Sequence, residues 1–211
     1  MGKLDLNKKK KRESLLNAAF NMFTSKSVSQ TSISEIAEKA GVAKGTFYLY
    51  FKDKYDIKNK LISHKSSQLF KIAIEELEKR EDLDFEDGII FIIDQIINQL
   101  NQNKSLLTFI SKNLSWGIFK NALTSPINDN DYDFRNIYEK MLNESPKKLK
   151  DPEIMLFMII ELVSSTIYSS ILYSEPVELE TLKPYLYNAV RGIIHQHETE
   201  EVCTQLSVVQ T

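Results

Sequence analysis

Cysteine is nearly absent: of 211 residues only Cys203 carries a thiol. One thiol closes no internal disulfide, which excludes the stapled scaffolds of small secreted proteins, and it cannot supply the clustered thiolates of a zinc finger. Glycine and proline are scarce as well, six and five residues, and the first proline is Pro126. Sandwiches and barrels need turn residues every few positions, so a proline-free run of 125 residues argues against both. The chain also lacks a phosphate-cradling glycine loop and a His-Glu-x-x-His pair. His195 and His197 are two apart and point to opposite sides of a helix, so they cannot share one metal from it. We therefore expect no enzyme, no cofactor and no metal. No secretory signal opens the chain, which leads us to expect a cytoplasmic location. The nearest approach to a membrane span is residues 154–173. They hold one charge, Glu161, but Ser164, Ser165, Thr166, Ser169 and Ser170 make a poor lipid face. A buried or interface helix with no membrane partner is the expectation there.

What the chain does have is a divided charge. The net value of −2 conceals 13 Lys/Arg against 6 Asp/Glu in residues 1–60, and 14 against 23 in the remainder. A basic front and an acidic back suggest that only the front meets a polyanion. The run Lys8-Lys9-Lys10-Lys11-Arg12 contributes five of those thirteen cations, either as a solubilising tail or as an arm that strengthens polyanion binding without choosing sequence.

Periodicity is helical throughout. Leu16, Ala19, Phe20 and Phe23 fall on one face of a 3.6-residue helix. Small polar residues over 25–31 interrupt it. Ser32 then stands three residues before Glu35, a capping box in which the hydroxyl accepts the Glu35 N–H and the carboxylate reaches back. Ile33, Ile36, Ala37 and Ala40 form a short apolar face, and Gly41 follows where a helix end favours positive φ. The spacing thus predicts a helix over 32–40. A tight aromatic segment comes next, with Phe47, Tyr48, Tyr50 and Phe51. Asp53 is the expected N-cap of a long helix reaching about residue 80. Further helices are expected over 86–100, 106–123, 134–143, 154–173 and 179–195, with a disordered tail over 199–211.

Two short helices joined at Gly41 and preceded by a longer one have the layout of a helix-turn-helix. Small Ala37 and Ala40 suit the crossing, Val42 and Phe47 anchor the second helix, and Lys44, Thr46, Tyr48 and Tyr50 are left to bind phosphates and base edges. The run Thr31-Ser32-Ile33-Ser34-Glu35-Ile36-Ala37-Glu38-Lys39-Ala40-Gly41-Val42-Ala43-Lys44-Gly45-Thr46-Phe47-Tyr48-Leu49-Tyr50-Phe51-Lys52-Asp53-Lys54 resembles the DNA-binding signature of the tetracycline-repressor (TetR) family. The resemblance extends over residues 8–62 and implies an all-α, homodimeric transcription regulator, usually a repressor of double-stranded DNA released by a small-molecule effector. It implies an N-terminal three-helix domain over 1–53, joined through a long helix to a helical ligand-binding and dimerisation domain over 54–198. Carried over by position, it puts Lys44, Gly45, Thr46, Tyr48 and Leu49 on the reading helix. Tyr50 and Lys54 are then set against the DNA backbone, and Ser34 within reach of a base. Two positions depart from the pattern. Ser27 stands where the family often has glycine, and Ala43 replaces a common serine at the start of the reading helix, losing a cap of typically ~1 kcal/mol.

The acidic part holds many aromatic and apolar residues, most of them core. For the ligand we expect Asn113, Trp116 and Phe119, with Glu161 as a carboxylate in an apolar run that needs a partner, Arg191 or a cationic ligand. The last two helices are the expected dimer interface, through Ile160, Val163, Ile167, Ile171, Tyr187 and Val190. The competing reading is a ligand-binding or enzymatic helical protein with a vestigial helix-turn-helix.

Overall fold

A computed structural model describes residues 2–80, 83–113, 138–140, 142–143, 145 and 147–199. Among these residues eight helices are described with both ends, residues 138–140 and 142–143 are also helical within the stretch expected over 134–143, and the sole β pairing is an isolated bridge between Leu149 and Glu198. The fold is all-α, as the scarcity of turn residues requires.

The first four helices build the basic front. Helix α1 (Lys3–Lys26) turns Leu15, Leu16, Ala19 and Phe23 inward and ends at Ser27, whose φ is 76°. Helix α2 (Ile33–Lys39) begins at Ser32 with both arms of the capping box in place: Glu35 N donates to Ser32 Oγ (3.2 Å) and Ser32 N to Glu35 Oε2 (2.8 Å). Gly41, at φ 69°, supplies the left-handed turn. Helix α3 (Lys44–Tyr48) follows, with Ala43 at its N-cap making no side-chain cap bond. Asp53 caps helix α4 (Lys54–Leu77), which stops three residues before the expected Arg80.

Helix α4 carries the chain out of the front. It packs on α1, on α5 (Phe85–Gln102) and on α6 (Lys104–Asn113). Helix α7 (Pro152–Tyr173) lies along α8 (Leu179–His197) and also against α5 and α6. One apolar core runs from Leu15 and Phe47 through Leu61 to Ile97, Met155 and Ile194, so front and back share an interior. By length and composition α7 could cross a membrane, yet its Met155, Ile159, Ile167 and Ile171 are buried in that interior. Of the helix expected over 106–123, the part to Asn113 is described. The expected tail lies outside the described residues from 200 onward.

Candidate nucleic-acid interface and ligand cavity

The turn between α2 and α3 is fixed by backbone bonds. Gly41 N donates to Glu38 O (3.0 Å) and Val42 N to Ala37 O (3.0 Å), which folds the chain back so that α3 crosses α2. Phe47 is fully buried and meets Phe51 at a centroid distance of 5.6 Å, clamping α3 to the core. Since Phe47 points in, its neighbours on the far side of this short helix point out. Ser34, Lys44 and Gly45 are exposed, Tyr48 is 52% exposed and Leu49 80% exposed. An ammonium, a phenol edge-on to Phe47 at 5.5 Å and an aliphatic tip are therefore open to solvent on this short helix and its C-cap. That set offers a donor to phosphate or guanine, a donor–acceptor hydroxyl and an apolar contact for a thymine methyl.

Three residues of the expected set sit otherwise. Thr46 is half-buried, and Tyr50 is half-buried against the core beside Phe51, so Tyr50 does not share the open face. Lys54 is the third. Its ammonium donates to the carbonyls of Ser29 (3.0 Å) and Thr31 (3.4 Å), holding the α1–α2 loop. The backbone N–H groups behind it are also taken, because Asp53 Oδ1 accepts from Tyr55 N (2.7 Å) and Asp56 N (2.9 Å). The start of α4 is thus capped by its own aspartate, and the half-buried Lys54 also braces the α1–α2 loop. A second strap crosses from Lys26 to Glu35. Together with the Ser32 N–H it lowers the Glu35 carboxyl to about 2.

In the back, α4, α5, α6 and α7 line an apolar, partly open pocket of about 140 Å³. Its wall includes Leu69, Ile92, Ile96, Ile110, Ile159 and Val163, and no charged side chain lines it among the described residues. The hydroxyl-bearing residues on the wall are Ser66, Ser164 and Tyr138, and the Tyr138 hydroxyl already donates to Pro152 O (2.7 Å). A pocket so lined suits an apolar guest.

This wall corrects several expectations. Ile160, Val163 and Ile167 line the cavity of their own chain. Ile167 is 1% exposed, Ile171 and Val190 are also buried, and Tyr187 donates its hydroxyl to Asp94 of α5. Ile167, Ile171 and Val190 are thus committed to the interior of the protomer, while Ile160, Val163 and Tyr187 are half-buried. The exposed side of α7 carries Ile154, Phe157, Met158, Glu161 and Ser165. Glu161 is therefore solvated rather than buried, and Arg191 does not pair with it. Arg191 Nη1 donates to Glu86 (3.1 Å) and Nη2 to Asp87, tying α8 to the first turn of α5. Asn113 is the last residue of α6 with its side chain outside the described set, and Trp116 and Phe119 also lie outside the described residues. The cavity's aliphatic wall is not legible in the sequence, because isoleucines at helical spacing look the same whether they pack on each other or on a guest.

Glu86, His195 and Glu198 bring ligand-type atoms within 4.8 Å of one another. Each carboxylate is already matched by a cation, Glu86 by Arg191 and Glu198 by Lys147, and His195 Nε2 lies 2.8 Å from Glu86. These contacts act as a clamp between α5, α8 and the segment before α7.

A buried-anchor helix displaying polar and apolar tips beside a glycine turn defines a helix-turn-helix DNA-binding head, set on a helical bundle with its own cavity. Residues 15–60 match the profile described as bacterial regulatory proteins, tetR family. Over 107 residues the chain is 32% identical to the uncharacterized HTH-type transcriptional regulator YvdT of Bacillus subtilis, covering 50% of this chain and 53% of that one. Over 73 residues it is 36% identical to the fatty acid metabolism regulator protein of Bacillus subtilis, covering 35% and 38%. The chain thus spans about half or less of the length of these curated relatives. Among solved structures it is similar to FadR of Bacillus subtilis in complex with stearoyl-CoA, at TM-score 0.63 and 22% identity, covering 87% of this chain and 99% of that one. FadR of Bacillus halodurans superposes with TM-score 0.63 at 20% identity, covering 85% and 97%. Residues 15–60 thus carry the tetR-type regulatory domain, on a fold shared with TetR-family regulators.

Proposed function

We propose that this chain is a homodimeric transcriptional regulator, in the first instance a repressor, that binds a two-fold DNA operator through α3 and leaves it when an apolar ligand fills the back cavity. The observation that carries the reading is the exposure of Lys44, Tyr48 and Leu49 beside a glycine turn while Phe47 anchors α3 in the core. Residues 1–53 act as the reading head and 54–198 as the effector and dimer part. Binding rather than catalysis is its work, and the cytoplasm, where the DNA lies, is its place.

An acyl chain is the ligand class that best suits the cavity. The wall is mostly aliphatic, with Phe70, Phe85 and Tyr138 among it, carries no charge among the described residues and offers few free polar groups, and the structural neighbour from Bacillus subtilis was solved with stearoyl-CoA. A long chain exceeds the volume available, so seating one must push the wall apart, and α6 is part of that wall. An effector shifts a conformational equilibrium only by binding one state better, and a cavity too small in the DNA-bound state meets that requirement.

Selection of genomic fragments by the full chain, followed by titration of the recovered duplex with palmitoyl-CoA, tests both halves. The expectation is a palindromic site whose complex dissociates as the acyl thioester is added. Recovery of no preferred sequence would favour the competing reading, a ligand-binding helical protein with a vestigial head.

A further inference from the structure

Helix α1 continues well beyond the fold it serves. The family match begins at residue 15, and the first buried side chain among the described residues is Leu15. The helix itself begins at Lys3, so 12 residues of it, ~18 Å at ~1.5 Å per residue, precede the body of the head. Nothing apolar ties this extension down, since Leu4 is 78% exposed and Leu6 45% exposed. The contacts of α1 with α6 lie at its other end, where Phe20 and Phe23 meet Phe109, so the extension points away from the cavity wall that α6 forms.

Its charge is the second observation. Residues 1–14 hold six Lys/Arg against two Asp/Glu, while residues 15–60 hold seven against four. More than half of the net positive charge of the basic front thus sits on a segment that contributes nothing to its core. Lys8, Lys9, Lys10, Lys11 and Arg12 are consecutive and therefore encircle the helix, at ~100° per residue, instead of lining one side. Lys8, Lys10, Lys11 and Arg12 make no ion pair among the described residues. Like charges at i,i+3 and i,i+4, such as Lys8 with Lys11 and with Arg12, destabilise an isolated helix. A polyanion alongside converts that repulsion into binding.

We propose that residues 3–12 form a helical arm that lies along the phosphate backbone of the duplex, outside the base pairs that α3 reads, and supplies affinity without sequence preference. The inference rests on the DNA-binding reading above. Phosphates are the partner because the arm offers ammonium and guanidinium groups on every side and no ordered apolar surface or hydrogen-bonding edge to discriminate bases.

The test compares the full chain with K8Q/K10Q/K11Q on two duplexes of equal length, one recovered by selection with the unaltered chain and one of scrambled sequence, across a range of salt. The variant should fold and melt like the parent, since none of the three side chains is buried. Its affinity should fall by the same factor on both duplexes, tenfold or more at low salt. The slope of log K against log salt should shrink by about 0.9 for each phosphate left unneutralised, up to about 2.7 per protomer. K8R/K10R/K11R should restore the parent slope. An unchanged slope, or a weakening confined to the selected duplex, would overturn the arm. So would a gain in affinity, which would mean that the lysines instead dock on the acidic back of the molecule. Should the unaltered chain itself fail to tell the selected duplex from the scrambled one, the DNA-reading function fails, and that result is separate from the behaviour of the lysine variant.

Discussion

Phe109 of α6 stacks on Phe23 of α1, with ring centroids 6.4 Å apart and planes 12° apart, and meets Phe20 edge-on at 5.6 Å. The next residue along α6, Ile110, lines the cavity. In the proposed function, one helical turn of α6 would carry cavity occupancy to the reading head. Replacing Phe109 by leucine keeps an apolar side chain but removes the ring pairs, worth ~0.5–1.5 kcal/mol each. The variant should hold operator DNA within about threefold of the parent yet need roughly tenfold more palmitoyl-CoA for release, a coupling change of ~1.4 kcal/mol. Fluorescence anisotropy of a labelled operator reads both quantities. Equal release concentrations for parent and variant would mean that coupling runs through another contact, such as α4 on α5.

Ser27 holds φ 76° and ψ 160° at the end of α1, a region that only glycine enters without strain. The family glycine at this position is thus explained by a backbone that this chain keeps while adding a Cβ. The exposed bonds of the Ser27 hydroxyl to Ser29 and Gln30 do little to offset the cost. Ser27→Gly should stabilise the head by ~1 kcal/mol or more, seen as a higher melting temperature at unchanged DNA affinity. A lower melting temperature would show that those hydroxyl bonds outweigh the strain.

Glu35 gives the head an acid limit. Its carboxyl is lowered from 4.5 to about 2, first by the Lys26 ammonium and then by the Ser32 backbone N–H. A depressed carboxylate stabilises the fold fully above its unfolded value and loses that contribution as pH falls toward the folded one. The contribution of Glu35 should therefore be complete above about pH 4.5 and drain away toward pH 2. Glu35→Gln keeps the shape of the capping box and removes the charge. Its melting temperature should lie below the parent's at neutral pH and converge with it near pH 2. A constant gap between the two curves would assign the role to geometry alone.

How much of this is legible in the chain differs between the two halves for a physical reason. Ser32, Glu35, Gly41 and Asp53 act on their own neighbourhood, through caps and a positive φ, so their roles can be read without knowing what packs where. Lys54 invites a phosphate in the sequence because its partners, Ser29 and Thr31, lie far back along the chain and compete with any phosphate for the same ammonium. In α7 the difficulty has a related origin. Residues 154–173 are apolar nearly all round, so the pattern announces burial but does not say which face meets the protomer and which is left outward. Glu161 resembles a buried charge only until that face is known.

The outward face is what a second copy of the chain would meet. Ile154, Phe157 and Met158 are exposed on α7 near Ser165, a small residue that lets another helix approach, and Tyr185 is exposed on the neighbouring α8. A pair of such faces would close a four-helix bundle from two protomers. Met158→Asp places a charge at that face without touching the cavity, so it should yield folded monomers with parent helicity and DNA affinity weakened by the loss of two-headed binding. Ile167→Asp, by contrast, places the charge in the interior and should unfold the chain. Sedimentation velocity with circular dichroism separates the two outcomes. A Met158→Asp protein that still sediments as a dimer would move the interface off the outer side of α7.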